Sequence, residues 1–278
     1  MATILQGRDT YLVGALVGEN GRFRYYRASS DTRKDKELML KIGMTPEQNG
    51  VLDREAFLLS LLTDEAGRLE AEYAHVREGE GTLNYQIGFP TVVETFVAQE
   101  QGARRVLVLA FGAADSLAEF APLSLIRTQD RVRVDPKTSA WVMGKLLKII
   151  AFAHDQGIKV NDLTGDNILV VRDHHLATVL DWSSAVLHKG RLRPNEARGD
   201  IRAAACEVVT VLGGDSATGT LPEDEQLLGN EYAGFLAGLV RGVYSDAHEA
   251  HSAFYQLVEA IWGRTFHPWT TYPLSEEE

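Results

Sequence analysis

Two short stretches of the sequence carry acidic and amide side chains at a spacing that suits phosphate chemistry. Asp162 and Asn167 stand five residues apart in VNDLTGDN, and Asp181 follows in LDWS. Carboxylate and amide oxygens are ligands for a hard cation such as Mg²⁺, which usually takes one or two carboxylates together with phosphate oxygens. Phosphoryl transfer also needs a carboxylate that accepts the proton of the attacking hydroxyl, and Asp162 suits that role. These three side chains are therefore candidates for one site.

Apolar helices and a short hairpin must position these residues. The spacing of apolar residues predicts a helix just before Asp162, which ends at Gly157. A tight loop between that helix and a following hairpin can turn Asp162 and Asn167 toward one cleft. The predicted elements are a helix over 141–156, a hairpin of 168–171 with 177–180, and a second apolar helix over 200–212.

The first third of the chain has the composition of β-strands around one helix. A turn signal, GENG at 18–21, separates the first two strands. Apolar residues recur near helical period over 53–62, and we interpret 63–88 as an extension of this helix followed by a loop. The predicted strands are 11–17, 23–28, 37–42, 91–98 and 105–111.

The pattern changes from strands to helices after Phe111. Helical periods dominate the rest of the chain and include two or three helices over 224–262. We therefore predict an α+β protein, with a β-rich N-terminal unit at 1–111 and a helical C-terminal unit at 112–278.

The sequence resembles the protein-kinase superfamily over nearly its whole length. The resemblance is strongest in LLKIIAFAHDQGIKVNDLTGDNILV (146–170), which is similar to the helix and catalytic loop of Ser/Thr kinases. It implies a bilobal fold, in which a small antiparallel β-sheet lobe with one helix binds the nucleotide and a larger, mostly helical lobe is catalytic. It also implies ATP and Mg²⁺ as cofactors and a Ser or Thr hydroxyl as the phosphate acceptor.

The resemblance implies a role for each candidate catalytic or metal-binding residue. Asp162 matches the catalytic-loop aspartate, and Asn167 and Asp181 match the two metal ligands. Lys41, in MLKI, matches the strand lysine that holds the α- and β-phosphates. Glu55, in REAF, matches the helix glutamate that pairs with this lysine. Lys41, Glu55 and Asp162 are thus the predicted catalytic set.

Other residues match the nucleotide-binding segments of the family. Gly18 and Gly21 resemble the Gly-rich loop over the phosphates, and Asp200 resembles the aspartate that braces the catalytic loop. The hinge that hydrogen-bonds adenine through its backbone matches four consecutive residues, Leu109, Ala110, Phe111 and Gly112. The resemblance depends on the order and spacing of all these matches together.

The sequence also departs from the family pattern. Asn161 replaces the arginine that receives an activation-loop phosphate, and Thr164 replaces the lysine two residues after the base. Only 18 residues separate Asp181 from Asp200, without the Ala-Pro-Glu motif that follows the peptide-docking segment. Asp181-Trp182 also resembles aminoglycoside and choline kinases, which phosphorylate small molecules. A Ser/Thr protein kinase, a small-molecule kinase and a nucleotide-binding pseudokinase scaffold therefore all stay open.

Each of these residues also has a simpler interpretation when taken alone. Lys41 suits the surface of an edge strand, and Glu55 suits an exposed ion pair on a helix. Asp162 and Asn167 are common turn residues, and Asp181 suits the N-cap of a following helix.

Composition excludes several classes of protein. The 278 residues carry 28 Lys plus Arg against 39 Asp plus Glu, a formal net charge of −11, which argues against nucleic acid as a partner. A single cysteine, Cys206, excludes an internal disulfide and multi-cysteine zinc sites. The apolar stretches are too short to span a bilayer and no signal peptide is apparent, so we expect a cytoplasmic protein without a membrane partner. The partner is a protein or small-molecule hydroxyl substrate, and no pattern predicts an oligomeric state.

Overall fold

The computed structural model describes residues 3–34, 36–76, 83–112, 114, 116–222 and 230–274. The chain divides into two compact units, Met1–Phe120 and Ala121–Glu278. The division lies a few residues beyond the change of pattern after Phe111, because the segment that follows packs back on the first unit. Ser116 Oγ and Leu117 N–H both donate to Glu37 Oε2, at 2.9 and 2.7 Å.

The first unit is a curled six-stranded antiparallel sheet. One face has its own apolar core, which includes Tyr11 stacked on Phe96 with ring centroids 5.9 Å apart. The strands are β1 (Thr3–Gln6), β2 (Thr10–Glu19), β3 (Phe23–Ser30), β4 (Leu38–Gly43), β5 (Thr91–Ala98) and β6 (Arg104–Ala110). They lie in the sheet in the order β1-β2-β3-β4-β6-β5. The five strands predicted from the sequence are confirmed, and β1 was not predicted.

Helix α1 (Asn49–Val76) packs against β5 and β6. Its buried residues recur at helical spacing, as at Leu52, Leu59 and Ala66. The helix is longer than the predicted 53–62, and Arg68 pairs with Glu65 and Glu72 along the extension. The predicted helical extension of 63–88 is thus confirmed through Val76, and 77–82 lie outside the described residues.

The second unit is mainly helical. Helix α3 (Pro136–Asp155) buries an apolar face in the core of this unit and contacts both α4 (Pro194–Val211) and α6 (Ala247–Trp262). The helices are α2 (Leu125–Thr128), α3 (Pro136–Asp155), α4 (Pro194–Val211), α5 (Asn230–Val240) and α6 (Ala247–Trp262). The short strands are β7 (Phe120–Pro122), β8 (Val132–Val134), β9 (Ile158–Lys159), β10 (Ile168–Val171), β11 (Leu176–Val179), β12 (Val186–Leu187) and β13 (Thr271–Pro273).

The ends of α3 explain its length. Asp135 is the N-cap, and its Oδ1 accepts the N–H of Thr138 at 2.8 Å. At the other end Gly157 has φ +71°, and a Cβ there would lie 2.6 Å from the carbonyl oxygen of Gly190. Only glycine fits this position, so the predicted helix stop is confirmed.

The α+β class predicted from the sequence is confirmed. The predicted hairpin is also present, as β10 paired antiparallel with β11. Across the described ranges, no helix combines the length and the apolar content needed to cross a membrane.

Candidate functional site

Lys41 and Glu55 form a buried ion pair in the first unit. Lys41 lies on β4, which is buried at all six positions, and Glu55 lies on the second turn of α1. The Nζ atom is 2.6 Å from Glu55 Oε2 and 2.8 Å from Oε1, and both side chains are 0% exposed. The interpretation of these two residues as surface side chains is therefore wrong.

Two aromatic rings complete the surroundings of the Lys41 ammonium. Nζ lies 4.3 Å from the ring centroid of Phe23 and 5.6 Å from that of Tyr25. Tyr25 is the direct cross-strand neighbour of Lys41 in the β3–β4 register. The ammonium is thus held between a carboxylate and aromatic faces, which fixes its position.

Gly18 and Gly21 lie at the β2–β3 hairpin. Asn20 closes the turn, because its Oδ1 accepts the N–H groups of Arg22 at 2.9 Å and Phe23 at 2.8 Å. Neither glycine has a left-handed backbone. A Cβ at Gly21 would meet no atom within 4 Å, and one at Gly18 would meet only the Tyr25 ring, at 3.9 Å. The hairpin itself therefore does not require glycine at either position.

The predicted adenine-binding segment forms the end of β6 and the residues after it. Leu109 is buried and pairs with Met39, two residues from Lys41 along the adjacent strand β4. Ala110 is the last residue of β6. Phe111 is buried against Phe120, with ring centroids 5.0 Å apart, and Gly112 is exposed. The segment thus leaves the sheet beside the strand that carries Lys41.

The other predicted residues meet in the second unit, where the amide of Asn167 joins two segments. Its Nδ2 donates to the backbone carbonyls of Asp162 at 2.7 Å and Asp181 at 2.9 Å. Its Oδ1 accepts the N–H of Asp181 at 2.5 Å. Asn167 is 5% exposed, so this is not an ordinary surface turn residue. Its role is to hold the loop of Asp162 against the end of β11.

Asp181 is buried directly after β11. Its Oδ1 accepts the N–H of Ser183 at 2.7 Å, and no helix follows, so the N-cap interpretation is wrong. The next side chain, Trp182, is fully buried, and its Nε1 donates to the carbonyl of Val179 at 2.9 Å. The tryptophan therefore anchors the turn that carries the Asp181 carboxylate.

Asp162 is partly exposed, and Thr164 Oγ1 donates to its Oδ1 at 3.0 Å. The chain just before it is braced by Asp200 at the buried face of α4. Asp200 Oδ2 accepts the N–H of Val160 at 2.7 Å, and Oδ1 accepts that of Asn161 at 2.9 Å. Asp200 Oδ2 also lies 2.9 Å from Nε2 of the buried His154.

Asn161 adopts a left-handed backbone, with φ +67°. Asparagine tolerates this conformation better than most residues, and its Nδ2 donates to the carbonyl of Ser184 at 2.9 Å. The residue that departs from the family pattern therefore has a structural role, since it joins the loop before Asp162 to the segment after Asp181.

Glu207 supports the same loop and was not predicted from the sequence. A Cβ at Gly165 would lie 2.8 Å from Glu207 Oε2, so the Gly165 backbone lies close to this carboxylate. Burial raises the pKa of Glu207, and the charges of Asp166 and Asp162 add to the effect. Glu207 stands seven residues after Asp200, two turns along one face of α4, and that spacing is the signal that could have revealed it.

The oxygen atoms of Asn167 and Asp181 suit a Mg²⁺ ion that binds together with phosphate better than a metal ion that the protein holds by itself. The described part of the chain contains no cluster of three or more His, Cys, Asp or Glu side chains arranged to hold a metal. Asn167 Oδ1 accepts one N–H and retains a second lone pair, beside the buried carboxylate-bearing residue Asp181. One carboxylate and one amide oxygen leave most of the coordination shell to water and phosphate oxygens, as Mg²⁺ prefers.

No protein-family model matches the chain, and no curated protein matches it. The function is therefore argued from the geometry of the two groups of residues.

Proposed function

We propose that the chain is an ATP-dependent phosphotransferase with a bilobal, protein-kinase-like fold, which transfers the γ-phosphate to a Ser or Thr hydroxyl with Mg²⁺. The observation that carries the proposal is the Lys41–Glu55 pair, in which both side chains are 0% exposed. A buried ion pair contributes little net stability compared with apolar residues of similar volume. A role in phosphate binding explains why this pair occupies the core.

The residues of the first unit bind and orient the nucleotide in this proposal. Lys41 holds the α- and β-phosphates, and Glu55 keeps its ammonium in place. Gly18 and Gly21 let the β2–β3 hairpin approach the phosphates, since neither position carries a Cβ. The backbone that follows Leu109 hydrogen-bonds the adenine.

The residues of the second unit supply the chemistry. Mg²⁺, when bound, neutralises charge on the phosphate oxygens, and Asn167 and Asp181 are the residues that would hold it. Asp162 accepts the proton of the attacking hydroxyl. The hydroxyl oxygen forms a bond to the γ-phosphorus, the bond to the β–γ bridging oxygen breaks, and ADP leaves with that oxygen. Asp200 and Asn167 hold the loop that presents Asp162.

A small-molecule acceptor is the second candidate, and the segment between Asp181 and Asp200 favours it. This segment is fixed close to the unit, because β12 pairs with β9 and the N–H of His188 donates to the carbonyl of Gly157 at 2.8 Å. Arg191 also pairs with Asp246 at 2.5 Å. Little chain remains there to dock a peptide, whereas a small hydroxyl compound needs no such platform.

A phosphate-transfer assay tests the proposal. Purified protein with Mg²⁺ and radiolabelled ATP is offered a mixture of Ser/Thr protein substrates and, separately, a library of small hydroxyl compounds. Transfer to protein supports the first candidate, and transfer to a library compound supports the second. Asp162→Asn is the negative control for both.

A binding measurement separates an inactive scaffold from a wrong assignment. Thermal stabilisation by Mg-ATP without transfer to any acceptor would indicate a nucleotide-binding pseudokinase, as the departures at Asn161 and Thr164 favour. Absence of both stabilisation and transfer would contradict the nucleotide site itself.

A further inference from the structure

The second unit contains a cavity of about 310 Å³ that none of the proposed phosphotransfer residues lines. It lies between α3 and α6 and is closed by the residues after α6 and by His175 of the β10–β11 turn. Its volume is within the range of about 300–1,000 Å³ that is usual for small-molecule sites. The cavity is therefore large enough for a ligand of one or two rings.

Aromatic rings form one wall of this cavity. Trp141 stacks on His175, with centroids 4.8 Å apart and ring planes 7° from parallel. His175 stacks in turn on Phe266, at 4.5 Å and 9°. Phe254 and Trp262 of α6 add further apolar surface. A flat, apolar ligand suits these walls, since aromatic rings prefer stacked or edge-to-face contacts.

The charge of the lining is positive, in contrast to the net charge of −11 of the whole chain. Three lysines line the cavity, whereas no Asp or Glu does. Burial lowers the pKa of Lys145. Within the described residues no ion pair involves Lys137 or Lys145, while His267 lies 2.7 Å from Asp135 Oδ2. A bound anion would give Lys137 and Lys145 an ion-pair partner that the described part of the chain does not provide.

The lining also contains a hydrogen-bond donor without an acceptor. The Nε1–H of Trp141 is buried and has no hydrogen-bond partner among the residues that the structure describes. Buried donors are nearly always paired in native proteins, so this one points to an acceptor supplied from outside the chain. Aromatic walls, two lysines (Lys137 and Lys145) that form no ion pair with the described residues, and the Trp141 indole N–H thus meet in one cavity.

We propose that this cavity binds a small aromatic carboxylate, with its ring against the Trp141–His175–Phe266 stack and its carboxylate against Lys145. None of the proposed phosphotransfer residues lines this cavity. The proposal of a carboxylate site is therefore independent of the proposed function.

The test compares two probes that differ only in charge, 3-phenylpropionate and 3-phenylpropionamide. Binding to the ¹⁵N-labelled full chain is followed at the indole N–H resonances of the four tryptophans. We expect the carboxylate to shift the resonances of Trp141 and Trp262 but not that of Trp182, which lies in the Asp181 turn. We expect the neutral amide to bind about tenfold more weakly, because it loses a charge-assisted contact.

Lys145→Met tests the cation, since it removes the charge and keeps an apolar stem of similar length. We expect this variant to bind the carboxylate as weakly as the amide, with its affinity for the amide unchanged. Lys189→Met is the matched control at an exposed lysine outside the cavity and should bind both probes as the wild type does.

Three results would overturn the proposal. Equal affinities of the wild type for carboxylate and amide would leave only an apolar crevice, and this comparison needs no variant to fold. Absence of any shift at Trp141 and Trp262 at millimolar concentration would show that the cavity does not accept the ring. An equal loss of carboxylate affinity in Lys145→Met and Lys189→Met would show a general effect of charge rather than a site.

Discussion

Asp162 differs from the other predicted acids because it is partly exposed. Among the described residues, its carboxylate accepts one side-chain hydrogen bond, from the Thr164 hydroxyl. We expect Asp162→Asn to reduce phosphate transfer by at least about 100-fold, as loss of a general base does, while ATP affinity stays near that of the wild type. The amide has the same shape but accepts no proton at neutral pH. Initial rates of transfer and a nucleotide titration measure the two effects.

Asp173→Asn is the control for this variant, because it makes the same change on the exposed β10–β11 turn. It should leave both rate and affinity unchanged. Transfer by Asp162→Asn at the wild-type rate would show that another group accepts the proton.

Glu207 makes a pH-dependent contribution to stability. Its pKa is raised above the ordinary value of 4.5, mainly by burial, so the folded protein binds a proton at this site more tightly than the unfolded chain does. The free energy of unfolding therefore decreases as the pH rises from 4.5 through the folded-state pKa. Because the side chain is only partly buried, we expect a modest effect.

Glu207→Gln should remove this decrease, since the amide has nearly the same size and shape but does not titrate. We expect the two proteins to approach the same stability at acidic pH and the variant to become the more stable one above the folded-state pKa. Urea unfolding at a series of pH values measures the difference. A constant difference between the two proteins across this range would contradict the assignment.

Single residues explain which parts of the site could be predicted from the sequence. Asp162, Asn167 and Asp181 lie within 20 residues of each other, so a loop and a hairpin of ordinary length suffice to bring them together. Glu207 was missed because it reaches Gly165 from another helix, and a lone glutamate on a helix resembles a surface residue. The contact between Glu207 and Gly165 can be predicted only when Asp200 has shown which face of α4 points toward the loop, because Glu207 lies two turns further along the same face.

The pairing of β4 with α1 through Lys41 and Glu55 leads to a prediction for these two elements. Lys41→Met alone leaves the Glu55 carboxylate buried without its ammonium partner, and we expect a loss of about 3–5 kcal/mol in the free energy of unfolding. Glu55→Leu alone should cost a similar amount for the opposite reason. The double variant Lys41→Met/Glu55→Leu should be close to the wild type in stability, because apolar residues of similar volume replace both charges.

Chemical denaturation of the four proteins completes this double-mutant cycle. The double variant should nevertheless fail to bind ATP, which separates the structural role of the pair from its role with phosphate. Additive destabilisation in the double variant would mean that the two side chains do not stabilise each other. Retained ATP affinity would remove Lys41 from the nucleotide site.

The β2–β3 hairpin leads to a second prediction at this scale. A Cβ at Gly21 meets no atom within 4 Å, and the backbone is not left-handed. We expect Gly21→Ala to leave stability unchanged or to raise it by up to about 1 kcal/mol, because alanine reduces the entropy of the unfolded chain. We also expect ATP to bind several-fold more weakly, because the new methyl group hinders the approach of phosphate to the backbone.

Gly50→Ala is the matched control, since a Cβ at Gly50 also meets no atom within 4 Å and Gly50 lies at the start of α1. It should bind ATP as the wild type does. Equal ATP affinity of Gly21→Ala and wild type would show that the hairpin tip does not contact the nucleotide.

Longer elements were predicted from the sequence more reliably than short ones. A buried strand of six residues leaves a continuous apolar run, as β4 does, and a helix with several apolar turns leaves a helical period, as α3 does. β8 and β13 have three residues each and pair across 132–134 and 271–273, so neither carries a period of its own. The apolar period of α1 is clear only over 53–62, because its second half is largely exposed and charged, so the end of the predicted extension within 63–88 could not be located from the sequence.

On the scale of the whole molecule, the change from strands to helices in the sequence corresponds to a division into two compact units. The exact division depends on contacts such as those of Ser116 and Leu117 with Glu37, which link residues about 80 positions apart. Likewise the α3–α6 cavity depends on His175 stacking on both Trp141 and Phe266. Contacts over such distances leave no periodic pattern in the sequence.

The proposed reaction draws on side chains of both units, and this leads to the last prediction. Mg-ATP at about 100 times its dissociation constant should raise the free energy of unfolding by about 2.7 kcal/mol. Lys41→Met/Glu55→Leu should abolish this gain with and without Mg²⁺. Asp181→Asn, whose Oδ1 can still accept the Ser183 N–H, should abolish only the part that requires Mg²⁺, because it removes a metal ligand and leaves the lysine in place.

Denaturant titrations with Mg-ATP, with ATP plus EDTA and without ligand distinguish these cases, and Asp173→Asn serves as the control. If Asp181→Asn responds to Mg-ATP as the wild type does while the Lys41 variant does not, the nucleotide binds through the first unit alone, and the assignment of Asn167 and Asp181 as metal ligands is wrong.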